Sequence, residues 1–286
     1  MAEKIKKVGV AGAGTMGAGI AQVFAQAGLA VILYDVNTAQ LEKAKAEITK
    51  NLESALVKNK ISESDKKSTL ANITFSSDIQ SLKCDLILEA ILEKLEPKKE
   101  LFQKLAAINS EKTVFATNTS SIPITRIARD IPHPQRVIGI HFFNPAHLMR
   151  LVEIITGAET SDEVVLAIKE LVIQIGKTPI LCKDSPGFIV NRVARHYYVE
   201  SLKLLEEKVT SQENIDALLE SAGFKMGPFR LMDHIGNDIN FSVTSSLFES
   251  FHYDPKFRPS RIQQQKVDAG HLGKKSGKGF YDYPKE

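Results

Sequence analysis

A glycine-rich turn near the amino terminus constrains this chain more than any other feature. Ile5 to Ala11 (IKKVGVA) reads as a short buried strand. Gly12-Ala13-Gly14-Thr15-Met16-Gly17 follows as a turn, then Ala18 to Ala27 as an alanine-rich helix punctuated by Gly28. Ala30 to Tyr34 is a second strand with Asp35 at its end, eighteen residues after Gly17. Strand, turn, helix and strand in that order are the grammar of a parallel sheet. Gly12 permits the tight turn, Gly14 lets a pyrophosphate approach the backbone, and Gly17 allows close helix–strand packing. The helix start at Thr15 and Met16 offers N–H groups and the positive end of the helix dipole to phosphates. Asp35 is suited to accept hydrogen bonds from ribose hydroxyls and to repel a 2′-phosphate, and Val36 beside it offers no cation to such a phosphate. The turn therefore predicts NAD rather than NADP as cofactor.

Length and charge narrow the rest. A chain of 286 residues suggests about two domains. Lys and Arg number 37 against 34 Asp and Glu, a balance of +3 that does not suggest a dedicated nucleic-acid binder. Cys84 and Cys182 form no pair with metal-ligand spacing, so both are expected as small buried apolar residues in strands, and no metal site is expected. The start, Met1 to Lys7, has no signal-peptide core, and no run of about 18 apolar residues predicts a membrane span. A reducing cytoplasm is the expected location.

Further strands are predicted at 73–75, 86–88, 114–116, 137–141, 151–155 and 178–182. A helix starts near Pro97 and another spans 161–175. A long helix capped by Asn37 or Thr38 carries Leu41, Ala44, Ile48, Leu52 and Ala55 on one face and several lysines on the other. The polar stretch Ser62 to Ser68 suggests that this helix turns back as a hairpin, over about 38–71. Lys183-Asp184-Ser185-Pro186-Gly187 reads as a linker, after which helices are predicted at 188–206, 211–222, 228–251 and 260–269. The fold class is thus α/β with a mainly parallel sheet over 1–184, followed by a smaller all-helical domain over 185–286.

In an open parallel sheet, ligands sit beyond the carboxyl ends of the strands. His141 ends one such strand. Glu153 is the only acid in the apolar strand LVEI, and a buried carboxylate needs a partner such as an imidazole N–H. That pair has the equipment of a general base. Asn118-Thr119-Ser120-Ser121 follows another strand and faces the same crevice, although Ser120 or Ser121 is also suited to cap a short helix over 122–128.

These residues resemble a known family. GAGTMG at 12–17, EAILEKLEPKKELF at 89–102, NTSS at 118–121, HFFNP at 141–145, LVEI at 151–154, DSPGFIVNR at 184–192 and GKKSGKGFYDY at 273–283 are similar to the short-chain L-3-hydroxyacyl-CoA dehydrogenases of the bacterial 3-hydroxybutyryl-CoA type. The resemblance runs almost end to end. It implies a Rossmann-type NAD-binding domain and a helical domain that forms a homodimer, while the charge balance and the lack of a long apolar run leave no nucleic-acid or membrane partner expected. It implies His141 as general base with Glu153 as its partner, and Ser120 and Asn191 as polar groups near the substrate's oxygen and thioester. Glu93, Lys98, Asn118, Asn144 and Lys275 are implied near NAD. Ser54 and Lys60, in the hairpin, are implied against the CoA of an acyl-CoA substrate. The chain departs from the family pattern at Lys94, His147 and Arg150. Its segment GPFRLMDHIGNDINF at 227–241 looks closer to the 3-hydroxyadipyl-CoA dehydrogenases, with Arg230 or His234 as candidates to pair with a terminal carboxylate. Two other readings are a non-catalytic NAD- or acyl-CoA-binding homologue and a dehydrogenase of free hydroxy acids. The presence of Ser120, His141, Glu153 and Asn191 together weighs against the first, and Asn191 in DSPGFIVNR, placed as in the CoA enzymes, weighs against the second.

Overall fold

Where the chain crosses its own sheet decides where a ligand can bind. A computed structural model describes residues 5–284. The part of the amino-terminal reading that falls on residues 1–4 lies outside the described residues. Two compact units are present, 1–185 and 186–286.

The first unit runs β1 (Lys7–Ala11), α1 (Thr15–Gln26), β2 (Ala30–Tyr34), α2 (Thr38–Val57), α3 (Glu63–Ala71), β3 (Ile73–Ser76), β4 (Leu86–Glu89), α4 (Leu95–Ile108), β5 (Val114–Thr117), α5 (Ile124–Ala128), β6 (Val137–Phe142), β7 (Leu151–Thr156), α6 (Asp162–Gln174) and β8 (Thr178–Lys183). The strands form one sheet in the order β3-β2-β1-β4-β5-β6-β7-β8. After β3 the chain crosses to the other side of β1 and pairs β4 with it, which opens a crevice at the carboxyl ends of β1 and β4. Neighbouring strands are parallel except β6 and β7, which are antiparallel and bring His141 opposite Glu153. The core packs α1 against the sheet, with Ile20, Phe24 and Leu33 almost fully buried and Phe24 edge-on to Phe142 at 6.1 Å.

Several local expectations are corrected. Cys84 is buried but lies in the turn before β4, while Cys182 lies in β8 and is only half-buried because β8 is an edge strand. The turn after α2 occupies 58–62, since Ser62 and Asp65 form a reciprocal capping box that starts α3 at Glu63. Asn37 caps α2 through its side chain, as expected. No serine caps α5. The Asp184 carboxylate does so, accepting from Ile124 N at 3.0 Å and Thr125 N at 2.8 Å.

The second unit contains α7 (Val190–Glu206), α8 (Gln212–Ser221), α9 (Pro228–Ile235), α10 (Asn237–Ser250) and α11 (Arg261–Asp268). The single helix expected over 228–251 is two, because Gly236 adopts φ 105°, a left-handed conformation outside the helical region. Two buried carboxylates organise this unit. Asp216 accepts from Phe229 N, Arg230 N and the Tyr281 hydroxyl, and so caps α9. Asp233 accepts from Phe280 N, Tyr281 N, the Tyr283 hydroxyl and Asn237 Nδ2, which fastens the glycine-rich 273–283 segment to α9. A Cβ on Gly279 would stand 2.0 Å from Asp233 Oδ1, so this close approach requires glycine. Among the described residues no helix is long and apolar enough to cross a membrane.

Asp233→Ala strips the acceptor from several buried donors at once. Urea denaturation is expected to show a loss of about 3 kcal/mol or more, since each orphaned buried donor costs about 1–3 kcal/mol. Unchanged stability would contradict this account of the 273–283 segment.

Candidate active site

The turn after β1 is shaped by contacts that a side chain would break. Gly12 has φ 104°, and a Cβ there would meet Ala90 O at 2.6 Å. A Cβ on Gly17 would stand 1.7 Å from Gly12 O. Gly14 differs: nothing of the chain lies within 4 Å of its Cβ position, and its backbone is ordinary extended. The fold itself therefore needs Gly12 and Gly17, whereas the space beside Gly14 is open for a ligand. Gly14 also caps α1 without a side chain, so the helix N–H groups at Thr15 and Met16 meet no capping side chain. Asp35 Oδ2 accepts from Ala13 N at 2.8 Å and Oδ1 from Asn37 N at 2.9 Å, which fixes the carboxylate at the rim of the turn. Gly12, Gly14, Asp35, Ala90, Ile91 and Pro97 are among the residues lining a cavity of about 470 Å³. An open glycine cradle, a bare helix start and a fixed acid at the end of β2 fit a dinucleotide.

At the far side of the switch, acids and hydroxyls are wired together. Glu89 is fully buried at the end of β4 and accepts from Lys98 Nζ at 2.6 Å, Thr117 Oγ1 at 2.8 Å and Ile91 N at 2.7 Å. Lys98 Nζ also lies 3.1 Å from Glu93 Oε2. Glu93 Oε1 then gathers the loop after β5: Thr119 Oγ1 at 2.6 Å, Ser120 N at 2.8 Å, Ser120 Oγ at 3.3 Å and Ser121 N at 3.2 Å. Burial by itself would raise the Glu93 pKa, but Lys98 and these hydrogen bonds outweigh it and hold the carboxyl below its usual range. Lys98 is 1% exposed, so its charge lies beneath the two carboxylates rather than at the surface of the crevice.

His141 and Glu153 form the second cluster. His141 is 6% exposed and Glu153 0%, and Nδ1 lies 2.7 Å from Glu153 Oε2. Such a bond orients the ring and directs its other nitrogen, Nε2, to a different task. Phe143 packs on the imidazole at 4.5 Å between ring centres. Asn118 Oδ1 accepts from Phe142 N at 2.8 Å, tying the ends of β5 and β6 together beside the histidine.

The other expected site residues are spread over both units. Ser54 on α2 and Lys60 in the turn after it are exposed, as is Asn144. Asn191 lies in the first turn of α7 and Lys275 in the 273–283 segment, both in the second unit, where Lys275 Nζ donates to Asp238 at 2.7 Å. Arg230 is committed within its own unit: Nε lies 3.7 Å from both Asp216 and Glu220, and the guanidinium sits 4.8 Å over the Tyr281 ring. His234 is exposed. Burial pushes the Cys84 and Cys182 thiols up to about 11 and about 12, so neither is a ready nucleophile. Glu89 and Thr117 were not singled out from the sequence. The signal that marked Glu153, a lone acid in an apolar strand, was present in LILE as well.

A doubly wound sheet with a phosphate-ready turn at its switch point defines a dinucleotide-binding α/β protein. The 3-hydroxyacyl-CoA dehydrogenase NAD binding domain matches residues 7–185, and the C-terminal domain of the same enzymes matches residues 187–283. The chain belongs to the 3-hydroxyacyl-CoA dehydrogenase family. It is 48% identical, over 99% of its length, to 3-hydroxyadipyl-CoA dehydrogenase of Escherichia coli, of which it spans 60%. It is 41% identical to a probable 3-hydroxybutyryl-CoA dehydrogenase of Deinococcus radiodurans, covering 97% of this chain and 100% of that one. The crystal structure of (S)-3-hydroxybutyryl-CoA dehydrogenase from Ralstonia eutropha superposes with a TM-score of 0.95 at 40% identity, over 99% of this chain and all of the other.

Gly17→Ala is expected to cost about 3 kcal/mol or more by overpacking. Gly14→Ala is expected to change stability by no more than about 0.5 kcal/mol. Its NADH affinity, followed by fluorescence titration, should fall at least roughly tenfold, about 1.4 kcal/mol. For Glu93, a lowered folded pKa means stabilisation that is present above the unfolded carboxylate value of about 4.3 and lost as pH falls through the folded value. The melting-temperature gap between wild type and Glu93→Gln should be widest above about pH 5 and close toward pH 3. A gap independent of pH would show that the loop is not held by the ionised carboxylate.

Proposed function

We propose that this chain is an NAD-dependent dehydrogenase that interconverts (S)-3-hydroxyacyl-CoA and 3-oxoacyl-CoA. The observation that carries the reading is the buried His141–Glu153 pair, 2.7 Å apart near the carboxyl end of β6. Gly12, Gly14, Gly17, the start of α1 and Asp35 would hold NAD. When bound, NAD supplies the hydride acceptor.

The chain's own groups then do the acid–base work. His141 Nε2 takes the proton of the substrate's 3-hydroxyl, and Glu153, opposite Nδ1, stabilises the imidazolium that results. In the reverse direction the imidazolium returns that proton to the 3-oxo oxygen. Ser120, which donates to Glu93 through its backbone N–H and its hydroxyl, stands beside the substrate oxygen. The family likeness assigns Asn191 to the thioester and Lys275 and Asn144 to the cofactor. Exposed Ser54 and Lys60 on the α2–α3 hairpin are available to the CoA moiety, where a lysine suits a phosphate. The enzyme is placed in the cytoplasm, and the family likeness suggests a homodimer formed through the second unit, on which Val193, Leu218 and Phe224 are exposed. The name of the Escherichia coli relative supports a second reading of the acyl chain, a dicarboxylic one such as 3-hydroxyadipyl-CoA.

NADH oxidation followed at 340 nm with acetoacetyl-CoA tests the reaction. Wild type should turn over, and His141→Gln should lose about 10²–10⁴-fold in kcat, the usual contribution of a general acid–base group, while still binding NADH. Full activity in His141→Gln would sink the proposed role. Absence of turnover in the wild type, with NADH bound, would favour a binding protein.

A further inference from the structure

The second unit buries a cation that no carboxylate among the described residues neutralises. Arg195 on α7 is 3% exposed. Its Nη1 donates to the Asn240 carbonyl and to Thr244 Oγ1, each at 2.9 Å, and its guanidinium sits 5.0 Å over the Tyr198 ring. Its Nε has no acceptor, and no carboxylate among the described residues pairs with the group. The two buried carboxylates of the same unit are committed elsewhere, Asp216 to the start of α9 and Asp233 to the 273–283 segment. Burial pushes the guanidinium down to about 10, which still leaves it protonated at neutral pH.

An uncompensated buried charge destabilises a fold, so its presence asks for a compensating anion. The surroundings are polar for a helical core. Asn240, Thr244 and Gln263 are all buried, and Gln263 Nε2 donates to Asn240 Oδ1 at 3.1 Å and reaches Met232 Sδ at 3.3 Å. Arg195 follows Asn191 by four residues on α7, which puts the two on one helix face, about 6 Å apart along the axis. The family likeness assigns Asn191 to the thioester, and Arg195 lies about one helical turn further along the same face.

We propose that Arg195 is the specificity residue of this enzyme, binding the terminal carboxylate of a dicarboxylic 3-hydroxyacyl-CoA. Guanidinium suits this task because it presents planar, fixed donors to a carboxylate. Arg230 and His234, the residues the sequence offered for it, are exposed and, for Arg230, already paired. The inference rests on the dehydrogenase reading above and adds the class of substrate to it.

The test uses the full chain with NADH and two substrates, 3-oxoadipyl-CoA and acetoacetyl-CoA. In wild type kcat/KM should favour 3-oxoadipyl-CoA, and in Arg195→Met the ratio of the two values should fall about 10–100-fold, the scale of a charge-assisted hydrogen bond. An unchanged ratio, whether both activities fall or neither does, would overturn the proposal and leave Arg195 as a link between α7 and α10. A measurement on wild type alone guards against a variant that fails to fold. Adipyl-CoA should inhibit acetoacetyl-CoA reduction at least about tenfold more tightly than hexanoyl-CoA, which ends in a methyl group instead. Equal inhibition, or tighter binding of hexanoyl-CoA, would refute the carboxylate site. A wild type that reduces neither substrate would instead refute the dehydrogenase reading itself.

Discussion

One reversal of chain direction governs the chemistry this protein can do. Strands β1 to β6 run in one direction and β7 and β8 in the other, and a β7 parallel to β6 would bring other residues beside His141. Because β6 and β7 run antiparallel, a short connection suffices between them, and the register sets His141 directly against Glu153. A one-residue slip would turn the carboxylate to the opposite face of the sheet and leave it buried without its imidazole. The pair is therefore held by the whole ladder, with β8 fixing β7 from its other side.

The second governing constraint is the cost of burying charge. Glu89, Glu153, Asp216 and Asp233 are all essentially excluded from solvent, and each is met by several donors or by a charged or ionisable partner. In three of these cases the donors are backbone N–H groups as well as side chains, so the acids act as staples between segments distant in sequence. Glu89 and Lys98 fix the base on which Glu93 sits, and Glu93 in turn gathers the loop that carries Ser120. The site residues are thus rigid because acids behind them are satisfied, which is the condition for holding reactive groups in line. Arg195 departs from this pattern, since its Nε meets no acceptor among the described residues.

Much of the first unit was legible in the sequence. Short continuous apolar runs and a glycine turn are local signals, and the strands, the α1 turn and the cap of α2 follow from them. Glu153 was legible because an acid in an apolar strand is chemically out of place. Glu89 carries the same signal, but nothing local marks Lys98, implied at the cofactor, as its buried partner. The break of the helix at Gly236 was hidden because glycine is tolerated inside helices unless tertiary contacts hold it at positive φ. Arg230 looked suited to a substrate carboxylate until its neighbours Asp216, Glu220 and Tyr281, from other parts of the chain, were seen to occupy it.

The sequence by itself determined the class of this protein. Residue spacing sets strand, turn and helix, and the chemistry of glycine and aspartate at Gly12 to Asp35 sets the cofactor, because these are properties of short segments. Only the tertiary structure decided which charges are neighbours. Whether a lysine lies in the crevice or beneath it, whether an arginine is paired or unpaired, and which acid caps which helix all depend on contacts across tens of residues. Sequence distance carries no information about such contacts, because burial and electrostatic partnership arise only when the chain has packed.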